Sequence, residues 1–198
     1  MTVQEHVCQF FDTDESRAKA VAAYVAEGLA KGERVLIVAR PVYWATITSH
    51  LASSHIDANR EIDRGRIIIK DAVDTLRRLS RNGAPDAAGF LEIIAGPVRE
   101  LTELGPLRAY GEMVDILAQR GELNHAVALE HLWTELTRAV PLTVMCGYAA
   151  AHFVSPTSHA AMRDICAAHT AVRRGDDDAL ADWLLTAAHH PLSSTLSH

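Results

Sequence analysis

The chain has 198 residues, enough for one domain with a substantial buried core. Apolar residues make up 48% and charged residues 22%, an ordinary globular balance, and the formal charge of −6 argues against an extended nucleic-acid surface, which needs clustered Lys and Arg. No apolar run approaches the roughly 20 residues that span a bilayer, and the three cysteines (Cys8, Cys146, Cys166) have no zinc-type spacing. These features, with no signal peptide, lead to the expectation of a cytoplasmic protein without membrane, metal or cofactor.

Strand and helix alternate along the chain, the pattern of a parallel sheet covered on both faces. The first strand is expected over Glu5–Phe11. The turn Asp12-Thr13-Asp14-Glu15-Ser16 then leads into a helix to about Lys31, with Asp12 and Glu15 at capping-box spacing and Gly32 as the stop. A second strand is expected over Arg34–Ala39, and Pro41 opens a helix with Trp44, Ile47 and Leu51 on one side. A third strand over Arg66–Lys70 precedes a polar stretch, Ser80–Gly83, and a long helix from about Asp86 to Leu104 that Pro97 should kink. The fourth strand runs from Leu107 to about Met113, and a helix from about Glu122 to Ala139 follows. A fifth strand over Leu142–Tyr148 leads to a helix from Ser155-Pro156 to about Arg174. A last helix over Asp176–His189 would pack on the core or on a partner, and residues 191–198 read as a disordered tail. The fold class is therefore α/β, three-layered, with a mostly parallel sheet of about five strands and C-terminal helices.

The first strand–turn–helix junction occupies the place of a phosphate-binding loop, yet it has no glycine, and Lys19 lies inside the helix. Carboxylates crowded at that helix N-terminus repel phosphate. In an open parallel sheet, ligands bind beyond the carboxyl ends of the strands. That rule selects Asp12, Arg40, Tyr43, Trp44, Glu112, Cys146 and Tyr148 as candidate ligand-binding residues, a set suited to a small organic molecule rather than a triphosphate. Glu112 is either presented to a ligand or paired with Arg108 or Arg40. Arg40 binds an anionic group or forms an ion pair, and Tyr148 packs or aims its hydroxyl into the crevice. For Cys146 an inert buried thiol is the favoured reading. The chain has 11 histidines without chelating spacing. His125 and His131 do not share a helix face. His169 lies on an apolar stripe, as a satisfied core histidine would, and His6, with Cys8, opens the first strand remote from the crevice. No nucleophile elbow is present, so no catalytic residue is assigned.

The segments His6-Val7-Cys8-Gln9-Phe10-Phe11, Gly28-Leu29, Gly32-Glu33-Arg34, Gly111-Glu112-Met113 and Cys146-Gly147-Tyr148 together resemble the MEDS domain, the methanogen/methylotroph DcmR sensory domain, over about His6–His169. The resemblance implies a degenerate RecA/KaiC-like core without ATPase function, with residues 1–174 as the sensory unit, and it puts Glu112 on the strand equivalent to the Walker-B strand. It also implies a non-catalytic sensor of a small organic ligand that signals to a kinase, an anti-sigma factor or a DNA-binding regulator, with a homodimer as one form. Two departures bear on the ligand: Phe11 stands where the family commonly has tyrosine, and Gly147 where glutamine is frequent. A ligand-free interaction adaptor and a residual nucleotide-binding protein remain the alternatives.

Overall fold

The computed structural model describes residues 4–173, so the expected helix over Asp176–His189 and the tail lie outside the described residues. Strand β1 (His6–Phe11) is buried along its whole length. Helix α1 (Asp14–Ala30) is capped by Thr13, whose hydroxyl accepts from Ser16 N at 3.0 Å while Thr13 N donates to Ser16 Oγ at 3.3 Å. The capping box is thus one residue later than the Asp12/Glu15 pair expected from sequence. Gly32, at φ 77°, follows the helix as its stop, and Glu33 N turns back to Gly28 O at 2.9 Å. Strand β2 (Arg34–Ala39) and helix α2 (Pro41–Ser53), with Pro41 in its first turn, follow as expected; Ile47 and Leu51 are fully buried.

A short helix α3 (Ala58–Asp63) precedes β3 (Ile67–Asp71). Helix α4 (Ala72–Leu79), absent from the sequence reading, is nucleated by Asp71, whose carboxylate accepts from Val73 N and Asp74 N at 2.7 and 3.0 Å. The polar stretch is a two-residue hairpin between β4 (Ser80–Arg81) and β5 (Ala84–Pro85). Asn82 and Gly83 supply the positive φ that such a turn requires. The long helix is interrupted: α5 (Ala87–Phe90) passes through a π-turn (Leu91–Ala95) into α6 (Gly96–Glu103). Pro97 has no N–H to donate to the carbonyl four residues back, and the wider turn, with Gly96 N donating to Leu91 O, absorbs that defect.

Strand β6 (Leu107–Gly111) ends two residues earlier than expected, because Glu112 becomes the N-cap of helix α7 (Met113–Gln119). Helix α8 (Leu123–Ala139) buries Ala126, Leu129, Trp133 and Leu136, as expected, and also Glu130. Strand β7 (Leu142–Ala149) and two short 3₁₀ turns lead to α9 (His159–Ala168). The expectation that this helix continues to about Arg174 is corrected. His169 leaves the helix with extended backbone, its Nδ1 2.6 Å from Ile165 O, and the chain enters a sixth strand, β8 (Ala171–Arg173). The side chain has taken the carbonyl that the next turn would have used.

The sheet has six parallel strands in the order β3-β2-β6-β7-β1-β8, one more than the five expected. Side chains alternate between its faces. Cys8, Phe10, Val144, Cys146 and Tyr148 join the core formed with α4–α9, whereas Ile37, Tyr110 and Met145 pack with Val21, Tyr24 and Val25 of α1. Gly28 allows α1 to approach β6 closely: a Cβ there would lie 2.9 Å from Arg108 Cδ. Arg108 thereby reaches Glu33 at 2.6 Å and Glu27 at 2.9 Å, so it is not the partner of Glu112.

Candidate functional site

At the carboxyl ends of the strands, four turns are tied together by a closed lattice of charges. Arg40, following β2, donates its backbone N–H and its Nε–H to Glu112 Oε2 at 3.0 and 3.1 Å. Its Nη2 reaches Asp115 Oδ2, and its Nη1 reaches Gln119 Oε1 at 3.2 Å. Arg17, buried on α1, donates to the same Asp115 oxygen at 3.0 Å. The other Asp115 oxygen accepts from Ala149 N at 2.7 Å and lies 3.4 Å from His152 Nε2. Tyr110 donates to Glu112 Oε1 at 3.2 Å. The Tyr43 ring lies beneath both guanidiniums, 4.4 Å from Arg40 Cζ and 4.9 Å from Arg17 Cζ. Two arginines meet two carboxylates, so little positive charge is left to hold a polyphosphate.

Burial is the largest influence on both acids. It lifts the Glu112 carboxyl above the ordinary range despite Arg40. At Asp115 burial also pushes upward, but Arg17, the Ala149 N–H and Arg40 together hold the carboxyl below its usual value.

The lattice therefore brings together Arg40, Tyr43 and Glu112 from the residues selected by sequence and adds Arg17, Asp115, Tyr110 and His152. Asp12 is exposed at the end of β1. Trp44 faces the other way, lining a cavity of about 630 Å³ between α2 and α3 with Thr48, Ala52 and Ile56. Gly147 is explained by Tyr110, whose hydroxyl lies 2.7 Å from where a Cβ would be. The frequent glutamine could not fit unless that tyrosine moved.

Tyr148 and Cys146 lie on the opposite face of the sheet, in a second polar cluster with His6, Glu130 and His169. Tyr148 packs on Phe10 and Phe153 and donates its hydroxyl to Glu130 Oε1. His6 Nε2 and His169 Nε2 lie 3.1 and 3.3 Å from Glu130 Oε2, and Cys146 Sγ is 3.5 Å from His6 Nε2. All these side chains are shielded from solvent. Burial opposes charge on Glu130, yet His169 and then His6 hold its carboxyl well below the ordinary range. Burial, then Glu130, pushes the Cys146 thiol well above its own. His6 and His169 were assigned no role from sequence, since their cluster draws on β1, α8, β7 and the end of α9. Only the isolated acid Glu130 on an otherwise apolar helix face hints at it.

A parallel six-stranded sheet covered by helices on both faces, with an ion lattice across its strand ends, defines a three-layer α/β fold. The chain belongs to the MEDS family, the methanogen/methylotroph DcmR sensory domain, which matches residues 5–170. The fold is similar to that of a KaiC-like protein from the hyperthermophilic archaeon Pyrococcus horikoshii, at 19% identity and a TM-score of 0.52, with 77% of this chain covered. The chain spans 66% of that protein's length, just under two thirds. No curated protein matches it. Among the described residues no helix is long and apolar enough to cross a membrane.

Proposed function

We propose that this chain is a non-catalytic sensory module that binds a small organic molecule at the strand-end crevice and reports occupancy to a signalling protein. Membership of a sensory family supports the general role. The observation that carries the specific reading is the Arg17–Asp115–Arg40–Glu112 lattice, because it links the turns after β2, β6 and β7 to helix α1. A ligand with a carboxylate or hydroxyl group would compete with Asp115 and Glu112 for Arg40, whose side chain is 15% exposed. Exchange of that partner releases one turn from the others, and the shift in conformation is set by the ligand's differential affinity for the two arrangements. The signal would pass to a kinase, an anti-sigma factor or a DNA-binding regulator.

The test is a thermal-shift panel of short alcohols, halocarbons, small organic acids and nucleotides. A ligand at about one hundred times its Kd adds roughly 2.7 kcal/mol, a rise of about 5–10 °C for a chain of this size. Stabilisation by a small organic compound, lost in Arg40→Gln, is the expected result. Stabilisation by ATP instead, weakened in Glu112→Ala, would return the protein to the nucleotide binders. A second reading rests on the closure of the lattice: a ligand-free interaction module already has its crevice filled. Uniform silence across the panel, with a partner recovered from the native complex, would favour that reading over the first.

A further inference from the structure

The buried His6–Glu130–Cys146–His169 cluster has hydrogen-bonding constraints that fix both imidazole tautomers. Thr134 Oγ1 has a single proton, and it lies 2.9 Å from Glu130 O and 2.9 Å from Ala168 O, which are acceptors only. With that proton committed to a carbonyl, Thr134 accepts from His6 Nδ1 at 3.1 Å. His169 Nδ1 likewise faces a carbonyl, Ile165 O, and must donate. Each neutral ring therefore turns its Nε2 lone pair toward Glu130 Oε2. His169 Nε2 and Glu130 Oε2 are both buried without a hydrogen-bond partner, since their 3.3 Å approach lies off the hydrogen-bond direction.

Protons alone satisfy this arrangement poorly. If both rings are neutral, the Cys146 thiol can donate to His6 Nε2 but the His169 Nε2 lone pair faces a carboxylate, and a single proton on His169 Nε2 points off the direction to Glu130 Oε2. If both are protonated, two cations lie with ring centroids 3.9 Å apart, and the buried group carries net positive charge. A divalent ion resolves both problems, because its charge is cancelled by one carboxylate and one thiolate while the imidazoles remain neutral. We propose that His6 Nε2, His169 Nε2, Glu130 Oε2 and Cys146 Sγ form a tetrahedral site for a divalent transition-metal ion of the Zn²⁺ class.

The spacing fits such an ion. Metal–ligand bonds of about 2.0–2.3 Å place tetrahedral ligands roughly 3.3–3.8 Å apart. Three of the separations are 3.1, 3.3 and 3.5 Å, and all four ligand atoms lie within 4.8 Å of one another. The surroundings also have the form of an outer shell: Thr134 orients His6, Ile165 O orients His169, and the Tyr148 hydroxyl holds the free oxygen of Glu130. Mixed nitrogen, sulfur and oxygen donors suit Zn²⁺ or Co²⁺ rather than Mg²⁺ or Ca²⁺. On binding, the Cys146 proton leaves to solvent and the thiolate takes its place on the ion. Cys8 and Cys166 are not among the clustered ligand atoms. The ion would join β1 to His169, two residues before β8, next to Thr170, whose N already donates to His6 O at 2.7 Å, and so secure the last strand to the sheet.

The experiment is to refold the full chain from denaturant, after treatment with chelator, in the presence of Zn²⁺ or Co²⁺. The metal bound per folded chain is then measured by elemental analysis, and the Co²⁺ form by absorption spectroscopy. The expected result is one equivalent per chain, with the visible bands of tetrahedral Co²⁺ and a near-ultraviolet thiolate-to-cobalt band that disappears in Cys146→Ser. Tyr148→Phe, checked for folding by circular dichroism, should weaken Zn²⁺ binding by about ten- to a hundredfold. Replacing His189, His190 and His198 together by alanine should leave stoichiometry and spectrum unchanged. A folded wild-type chain that takes up no metal would overturn the assignment. So would a thiolate band that persists in Cys146→Ser, or uptake that disappears with those three histidines.

Discussion

Asp115 and Glu112 share Arg40, yet their carboxyl groups are driven in opposite directions, and the difference is measurable. Asp115 is held below its ordinary value, so it contributes stability that is fully present above about pH 3.9 and is lost as pH falls through its folded value. Glu112 is raised, so its ionised form is a liability at neutral pH that is relieved as pH falls toward about 4.5. Asp115→Asn leaves Arg17 and Arg40 without their shared counter-charge in a buried site and should cost about 3–5 kcal/mol at pH 7 in urea unfolding. Glu112→Gln keeps an acceptor for Arg40 and should cost about 1 kcal/mol, and wild type should gain on this variant as pH is lowered from 7 to about 5. Equal losses for the two variants would show that charge does not distinguish them. Glu112 and Arg40 were legible in the sequence because strand ends point to a crevice. Arg17 and Asp115 were not. An arginine on a helix reads as a solvent-facing charge, and the segment through Asp115 was read as the turn after a strand rather than as the short helix that buries it.

At the scale of elements, the parallel strands stood out because they are continuous apolar runs, and β2 ends where its composition changes. Short pieces held by side chains did not stand out: α4 depends on the Asp71 cap, and β8 depends on His169 diverting a helix carbonyl. Pro97 announced a defect but not its form, because the same missing N–H can give a kink, a break or the π-turn found here. The start of α5 is fixed more tightly. A Cβ on Gly89 would lie 2.4 Å from Leu79 O, a backbone atom that cannot rotate away. Gly89→Ala must therefore push α5 off the end of α4, at a cost of about 1–3 kcal/mol, despite alanine's better helix propensity. Thermal melts should show a fall of several degrees, and an unchanged or raised midpoint would mean that α5 is not packed this closely.

For the whole molecule, the question is where the cooperative unit ends. The family match stops at residue 170, and the sheet gains its last strand over Ala171–Arg173, in register with Val7–Gln9. Thr170 binds the His6 backbone from both sides, accepting from His6 N at 3.0 Å and donating to His6 O at 2.9 Å, and His169 closes over Glu130. We therefore expect a chain cut after Arg174 to unfold as one cooperative unit. A chain cut after Ala168 loses β8 and the three Thr170 hydrogen bonds to His6, and it leaves Glu130 buried with one histidine fewer. Breaking a buried charged group's partnership costs about 3–5 kcal/mol, so its midpoint should fall by about 10 °C or more. Calorimetry on the two truncations decides the matter. If they melt together, the short sixth strand is an ornament on the sheet. If only the shorter one collapses, the end of the chain is part of the core, and anything that loosens it reaches β1 directly.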